Sequence, residues 1–302
     1  MNRFIRGAKA TAVAGGPTDL LTRRRFLKNA SLTAASTLGF AGYGFSNALD
    51  IPGVRRMRLD LPNLPLEWEG LRILQISDVH AGPYMDADRM VRMRDMAASL
   101  DPDLIVFTGD QMDRRDSDAE LFVQGFSGIT APLGVWGILG NHDHFIDPKR
   151  SEWALEAAGI QPLVNNAVTF ERSGASLALI GIEDLQARDG REPDFSVIEQ
   201  HPTSFRICLC HQPQGWHQAV AAGAHLTISG HTHGGQIALT GRYLNVARLS
   251  TRYIAGPYRR EEAFLYVSRG VGVGAVPVRV GAPPEIDLLT LRSTAASKSV
   301  AA

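Results

Sequence analysis

The chain has 302 residues, a length at which an α/β enzyme commonly folds around one hydrophobic core, here with an N-terminal appendage. Its hydrophobic fraction of 44% and charged fraction of 21% are ordinary for a globular protein and exclude extensive disorder. A formal net charge of +0 gives no indication of a nucleic-acid-binding surface, so no nucleic-acid partner is expected.

The first segment has the layout of an export signal. Residues 22–28 read Thr-Arg-Arg-Arg-Phe-Leu-Lys, and a weakly apolar stretch over residues 30–48 follows them. They match each position of the Ser/Thr-Arg-Arg-x-Phe-Leu-Lys twin-arginine pattern, with Arg23 and Arg24 as the pair. Interruptions by Ser and Thr make a membrane span of about 20 apolar residues a poor alternative.

We therefore predict that residues 1–48 form a twin-arginine signal peptide, with an uncleaved N-terminal anchor as the alternative. The twin-arginine export machinery would then be a partner of the chain. The expected location is the periplasm or cell envelope, with association at a membrane surface as a further expectation.

Strand and helix patterns alternate along the rest of the chain. Aliphatic and β-branched runs predict strands over residues 71–77, 104–108, 135–139, 168–172, 177–182, 206–210, 226–229, 264–268 and 286–291. Helical patterns are predicted over residues 86–100, 117–125 and 148–158. In the first of these helices, Met90 and Met93 share a face, which indicates core packing.

The alternation of strands and helices implies parallel strands, and the number of strands indicates two packed sheets flanked by helices. The predicted domain covers residues 49–292, and residues 293–302 are predicted to be a disordered tail. Cys208 and Cys210 lie two apart in one strand and are expected to be buried free thiols.

Polar clusters follow five of the predicted strands directly. They are Asp78-Val79-His80, Gly109-Asp110-Gln111-Met112-Asp113, Gly140-Asn141-His142-Asp143, Cys210-His211-Gln212 and Gly230-His231-Thr232-His233-Gly234. Each cluster alone is better explained as a turn or a helix cap. Because the carboxyl ends of parallel strands line one crevice, however, five successive clusters predict one shared site.

In order, these clusters read Asp-x-His, Gly-Asp-x-x-Asp, Gly-Asn-His-Asp, a single His and Gly-His-x-His. This order resembles the calcineurin-like metallophosphoesterase superfamily over roughly residues 71–291. Residues 61–65, 230–236, 266–270 and 283–285 are similar to its twin-arginine-exported, YkuE-like bacterial branch. The resemblance implies an α/β fold, a four-layer αββα sandwich of two mixed sheets with a dinuclear metal site at the strand carboxyl ends.

The resemblance also implies two divalent metal ions as cofactors. One ion would be held by Asp78, His80, Asp110 and His233, and the other by Asp110, Asn141, His211 and His231. The shared Asp110 would bridge the two ions. These ligand types suit Mn, Fe and Zn alike, so the metal stays open. Such a pair of ions can polarise a phosphoryl group and make a metal-bound hydroxide available near neutral pH.

Two further residues are expected to be catalytic. His142 follows the ligand Asn141 and is predicted to donate a proton to the leaving oxygen and to stabilise the transition state. Asp113 is expected to hydrogen-bond the far nitrogen of His142 and keep it protonated. Asp143 is expected to orient its loop, and His144 to be a surface or core residue.

The predicted function is hydrolysis of a phosphodiester or pyrophosphate bond. The alternatives are a phosphomonoesterase and a non-catalytic metal-binding envelope protein; a nuclease is disfavoured by the neutral charge balance. Candidate substrates are phospholipid or nucleotide-sugar lipid head groups, cell-wall phosphodiesters and soluble nucleotides. Five arginines, predicted to form a solvated face or an anionic head-group site, are Arg242, Arg248, Arg252, Arg259 and Arg260.

Overall fold

A computed structural model describes residues 17–188, 190–238, 245–274 and 276–295 of the chain. The helices are α1 (Pro17–Leu49), α2 (Ala87–Ser99), α3 (Ser117–Phe126), α4 (Asp143–Ile146), α5 (Pro148–Ala157), α6 (Ser196–Glu199) and α7 (Trp216–Ala221). The strands are β1 (Gly53–Leu61), β2 (Arg72–Ile76), β3 (Leu104–Thr108), β4 (Val135–Ile138), β5 (Gln161–Pro162), β6 (Asn166–Arg172), β7 (Ala175–Gly181), β8 (Phe205–Leu209), β9 (Leu226–Ser229), β10 (Gly256–Arg260), β11 (Ala263–Val267) and β12 (Glu285–Ser293). Four short 3-10 helices cover Leu66–Trp68, Pro213–Gly215, His233–Gly235 and Val246–Leu249.

The chain divides into two units, residues 1–43 and residues 44–302. The predicted export signal falls on α1 and on residues 1–16, and the latter lie outside the described residues. Within the ranges that the structure describes, none of the helices combines the length and apolar character needed to cross a bilayer. In the second unit, Ala48 is buried and Asn47 donates from Nδ2 to the carbonyl oxygen of Arg279 at 3.2 Å.

The second unit contains two mixed sheets, as predicted, and each has six strands. The first has the order β1-β12-β2-β3-β4-β5, and the second has the order β10-β11-β9-β8-β7-β6. Strands β2 to β5 are parallel in the first sheet, and β7, β8, β9 and β11 are parallel in the second. Antiparallel pairing occurs between β12 and β2, between β6 and β7 and between β10 and β11. The parallel strands bring their carboxyl ends to one edge of each sheet.

Side chains that alternate along the strands build the layers. In β3, Leu104 and Val106 face the core between the sheets, whereas Ile105 and Phe107 pack toward the helices. Met90 and Met93 of α2 join that outer core, which confirms their expected packing role. A third cluster packs the second sheet against α6 and α7. The result is the predicted αββα order of layers.

Three strands were missed, and all three lie at sheet edges: β5 has only two residues, and β1 and β10 carry several charges. Strand β1 pairs with β12 alone and exposes Arg56, Arg58 and Asp60. Strand β10 contains Pro257 and two of the arginines that were grouped as a basic cluster. An edge strand has no hydrogen-bonded neighbour on one side, so it tolerates proline and charged residues. Its hydrophobic pattern is therefore weak.

The predicted tail needs one correction. Ser293 ends β12, is buried, and donates from Oγ to the carbonyl oxygen of Leu64 at 2.7 Å. Residues 296–302 of the predicted tail lie outside the described residues. Cys208 and Cys210 are both buried free thiols, as expected, and burial raises the pKa of Cys210 to about 12.

Candidate metal centre

The five predicted clusters converge at the carboxyl ends of β2, β3 and β4 in the first sheet and of β8 and β9 in the second. Several of these residues adopt the left-handed backbone region, which non-glycine residues rarely occupy. Their φ values are 54° for Asp78, 49° for His80, 56° for Asp110, 70° for His231 and 50° for His233. Such strained conformations concentrate at functional sites because the surrounding structure must hold them in place.

One group of side chains that could hold a cation consists of Asp78, His80, Asp110 and His233. All four are buried, and their ligand atoms lie within 4.8 Å of one another. His80 Nε2 lies 3.6 Å from Asp110 Oδ2, and His233 Nε2 lies 3.5 Å from Asp78 Oδ1. The two imidazole Nε2 atoms are 3.1 Å apart.

A second group consists of Asp110, His211 and His231, again within 4.8 Å of one another. His211 Nε2 lies 3.3 Å from Asp110 Oδ2 and 3.3 Å from His231 Nδ1. Asn141 Oδ1 lies 2.9 Å from the same His231 nitrogen, which brings the amide into the group. Asp110 Oδ2 therefore faces both groups.

The imidazoles of the centre differ in their protonation. Burial lowers the pKa of His80 and of His231 to about 4, so both rings are neutral near pH 7. His211 donates its Nδ1 proton to the carbonyl oxygen of Thr108 at 2.7 Å and turns Nε2 toward Asp110. A hydrogen bond of this kind fixes the tautomer and the orientation of a ligating ring. Burial disfavours the charged form of His211, but Asp110 outweighs burial and raises the pKa of this ring, so a metal ion at Nε2 would displace a proton.

The charges of the centre also fit the binding of metal ions. Burial and the neighbouring Asp110 raise the pKa of Asp78 to about 6, because two carboxylates share one buried space. His80 Nδ1 is buried without a hydrogen-bond partner among the described residues. Carboxylates, an amide and neutral imidazoles are the ligand types of Mn, Fe and Zn sites. The residues present thus fit divalent metal ions.

His142 and Asp113 lie beside these groups in a different arrangement from the expected one. His142 donates from Nδ1 to the backbone carbonyl oxygen of Asp113 at 3.0 Å, not to its carboxylate. The carboxylate Oδ1 stands 3.6 Å from His142 Nδ1 and 3.7 Å from His80 Nδ1, so it faces two rings. Burial disfavours the charged form of His142, but Asp113 and Asp110 outweigh it and raise the pKa of His142.

Asp143 orients its loop, as expected. Its carboxylate accepts the backbone N–H of Asp110 at 2.9 Å, of Gln111 at 3.1 Å and of Gly140 at 2.8 Å. Burial and the nearby Asp110 raise the pKa of Asp143 to about 7, against the stabilising effect of these donors. The bonds tie the loop after β3 to the loop after β4 and so hold Asp110 beside Asn141.

Two glycines make the close approach of these loops feasible. A Cβ atom on Gly140 would lie 2.3 Å from Asp110 Oδ1, and one on Gly109 would lie 2.5 Å from His211 Nδ1. Gly109 also has φ +94°, which disfavours any other residue. Glycine at these two strand exits is thus a direct steric requirement of the neighbouring ligand side chains.

Sequence reasoning missed an acidic pair at the end of β7. Glu183 accepts from His144 Nε2 at 2.9 Å, and Asp184 accepts from Gln212 Nε2 at 2.9 Å, beside His211. His144 is therefore a core residue that links the first sheet's loop to the second sheet. The strand-end rule that located the other clusters would also have found this pair, since Glu183-Asp184 closely follows a predicted strand.

Arg279 was also missed. It is fully buried, and its guanidinium donates to the carbonyl oxygens of Gly272 and Ala282 at 2.9 and 3.0 Å. One NH2 nitrogen lies 3.2 Å from His233 Nδ1. Nothing in the local sequence, Val-Arg-Val, distinguishes this arginine from one on a strand surface.

Comparisons with known proteins match the part of the chain that carries this centre. The calcineurin-like phosphoesterase family model matches residues 71–235, which include all seven predicted metal ligands. A bovine (Bos taurus) "transmembrane protein with metallophosphoesterase domain" is 30% identical over 90% of this chain, and the chain spans only 64% of its length.

Two bacterial relatives match over nearly their whole length. The "uncharacterized metallophosphoesterase YkuE" of Bacillus subtilis is 29% identical over 91% of this chain and 99% of its own. The "phosphodiesterase YaeI" of Escherichia coli is 27% identical over 90% of this chain and 100% of its own.

Proposed function

This chain belongs to the calcineurin-like phosphoesterase family, and on that premise we propose that it hydrolyses a phosphodiester or pyrophosphate bond with two bound divalent metal ions. The observation that carries the proposal is the position of Asp110. Its Oδ2 atom lies 3.6 Å from His80 Nε2 in one ligand group and 3.3 Å from His211 Nε2 in the other. A carboxylate in this position can serve two cations at once.

The proposed ligands follow the two groups. Asp78, His80, Asp110 and His233 would hold one ion, and Asp110, Asn141, His211 and His231 would hold the other. When bound, such ions activate water near neutral pH and offset the charge that develops on a phosphoryl group. Mn, Fe and Zn all suit this ligand set.

We assign His142 to protonation of the leaving oxygen and to contact with the phosphoryl group. Its Nδ1 proton is engaged by the carbonyl oxygen of Asp113, which leaves Nε2 as the nitrogen that can deliver a proton. The raised pKa of His142 keeps a larger fraction of the ring protonated near neutral pH. The Asp113 carboxylate would favour the charged form of the His142 ring electrostatically, without a hydrogen bond to it.

The name of the relative YaeI, a phosphodiesterase, supports a diester over a monoester as the substrate. Bis-(para-nitrophenyl) phosphate and para-nitrophenyl phosphate, each assayed with and without added Mn²⁺, separate the candidate activities. We expect metal-dependent turnover with preference for the diester. Preference for the monoester would identify a phosphomonoesterase. Lack of turnover of both substrates would favour a non-catalytic metal-binding envelope protein.

We further propose twin-arginine export of the chain to the periplasm or cell envelope, with the catalytic domain beginning after the signal. Replacing the pair by Arg23→Lys and Arg24→Lys is expected to leave the precursor in the cytoplasm. Arg25→Lys, outside the pair, is the control and should be exported. Equal export of the double variant and the wild type would refute the assignment.

The segment that would end the signal packs within the second unit. Ala48 is 1% exposed there and Asn47 is hydrogen-bonded to Arg279, so both are poorly accessible to a peptidase in the folded chain. This packing favours the retained anchor over cleavage at residues 46–48. The mass of the exported protein, measured intact, distinguishes the two outcomes.

A further inference from the structure

A cavity of about 420 Å³ lies beside the candidate metal centre. This volume falls within the range of sites that bind small molecules. His231 and His233, proposed ligands of different ions, form part of its lining. A substituent on a phosphate held at these ions would therefore have direct access to the cavity.

The cavity is built by hydrogen bonds between separate segments. Asn245 donates from Nδ2 to the carbonyl oxygen of Gly234 at 2.7 Å, which holds the short helix Val246–Leu249 against the loop after β9. Gln236 donates from Nε2 to the carbonyl oxygens of Val276 and Val278 at 2.9 and 3.2 Å. These bonds fix both sides of the cavity relative to the imidazoles.

Apart from the two imidazoles, the polar side chains of the described lining already hydrogen-bond to the protein. Thr232 donates from Oγ1 to the carbonyl oxygen of Ile254, and Ser250 donates from Oγ to that of Ala247. Gln236 Oε1 accepts the backbone N–H of Gly274 at 3.1 Å, and its amide N–H groups are engaged as described. Among the lining residues that the structure describes, none is Asp, Glu, Lys or Arg.

Aliphatic groups supply the remaining contact surface. They belong to Ile237, Ala247, Val276 and Val278. A sugar or a nucleobase in this cavity would find no charged partner among the described lining residues. An aliphatic chain has no polar groups, and its transfer from water to this apolar surface is favourable.

We propose that this cavity binds an aliphatic chain of the substrate, so that the enzyme acts on phosphoesters of long-chain alcohols, as found in lipids. The proposal rests on the proposed phosphoesterase activity and specifies its substrate class. Ile237, Ala247, Val276 and Val278 would then determine specificity without taking part in the reaction.

A series of alkyl para-nitrophenyl phosphates tests this directly. In each reaction water adds at phosphorus, the bond to para-nitrophenolate breaks, and the product alkyl phosphate keeps its chain. With methyl, butyl and hexyl chains below their micelle concentrations, kcat/KM should rise by about fourfold for each methylene that becomes buried. The rise should stop once the chain fills the cavity.

Val276 lines the cavity and is 58% exposed, so it can be replaced to test the proposal. Leu66, on the Leu66–Trp68 helix, is an aliphatic residue of nearly equal exposure, 57%, and serves as the matched control. Val276→Asp should flatten the dependence of kcat/KM on chain length, since it places a carboxylate against the chain. Leu66→Asp changes the same kind of side chain elsewhere and should keep the wild-type dependence. Ala247→Phe, which fills the cavity, should shift the preferred chain to a shorter one.

Equal kcat/KM for all chain lengths in the wild type would overturn the proposal, as would an unchanged chain dependence in Val276→Asp. Higher kcat/KM for thymidine para-nitrophenyl phosphate than for the hexyl ester would overturn it as well, in favour of a nucleotide substrate.

Calorimetric titration with methylphosphonate and hexylphosphonate separates this proposal from the proposed activity. Tighter binding of hexylphosphonate, lost in Val276→Asp, would support the chain site even if no diester were hydrolysed. Diester turnover with equal binding of both phosphonates would leave the phosphoesterase in place and remove the chain site.

Discussion

The two sheets supply the metal centre with different chemistry. Loops of the first sheet carry both carboxylates, the amide and one imidazole of the proposed ligands, whereas loops of the second carry three imidazoles and no carboxylate. The negative charge of the centre therefore comes from one sheet. Its neutral ligands come mainly from the other, so the complete centre exists only when the sheets are packed together.

Buried hydrogen bonds join the two contributions. The backbone N–H of His231 donates to Asp78 Oδ1 at 2.9 Å, and Gln75 donates from Nε2 to the carbonyl oxygen of Ser229 at 2.8 Å. His144 and Glu183 form a third link across the sheets. Packing of the sheets and geometry of the centre are thus coupled, and substitutions in either sheet should have distinguishable effects.

The largest effect is expected from the first sheet, at the shared carboxylate. Asp110→Asn removes the charge that faces both ligand groups, so metal content should fall well below two per chain. Because each ion contributes several kcal/mol to the transition state, activity should fall on the order of 10³-fold or more. Metal analysis and diester turnover measure the two effects.

The exposed Asp95, on α2, provides the matched control for this substitution, and Asp95→Asn should retain both metals and full activity. Retention of two metals together with normal turnover in Asp110→Asn would refute the bridging role.

His142 tests whether the first sheet supplies catalysis as well as charge. His142→Asn should retain both metals and lose about 10²–10⁴-fold in kcat, the usual contribution of a general acid. If the ring protonates the leaving oxygen, esters with alkoxide-like leaving groups should lose much more than para-nitrophenyl esters. Equal losses would indicate charge stabilisation alone, and loss of metal would show that a ligand had been misplaced.

A smaller effect is expected at the link between the sheets. Burial disfavours the charged form of His144, but Glu183 outweighs it and raises the pKa of His144. Because the pKa of His144 is higher in the folded state than in the unfolded state, protonation of His144 stabilises the fold. This stabilisation is complete at pH values below the unfolded-state pKa of about 6.5 and is lost as the pH rises through the folded-state pKa. His144→Gln should therefore lower the free energy of unfolding by about 1–3 kcal/mol at pH 6 and by less at pH 9.

Urea denaturation at the two pH values measures this difference. His201→Gln, in the turn after α6, is the matched control substitution. A constant difference between wild type and His144→Gln at both pH values would contradict an ionic link.

The smallest effect concerns the thiols on the outer face of the second sheet. Because burial raises the pKa of Cys208 and Cys210 well above their usual range, neither should react with a thiol reagent in the native chain. Two thiols per chain should react after unfolding. Rapid modification of the native protein would show that this part of the second sheet opens readily.

Much of the centre followed from local sequence. Asp78, Asp110, Asn141 and His231 were located because each follows a strand whose hydrophobic pattern is strong, and parallel strands bring such positions together. The charged edge strands β1 and β10 were missed for the converse reason, since their hydrophobic pattern is weak. Glu183 and Asp184 closely follow β7, so the same strand-end rule extends to them.

Sequence alone determined the αββα layers, the strand-end positions of the proposed ligands and the burial of the two thiols, because these depend on periodicity along single elements. Tertiary structure decided which atoms meet. It turned the carbonyl oxygen of Asp113 toward His142, placed Arg279 beside His233 and formed an open cavity with aliphatic lining next to the imidazoles. Such contacts join segments far apart in the chain, and their distances depend on how loops and sheets pack.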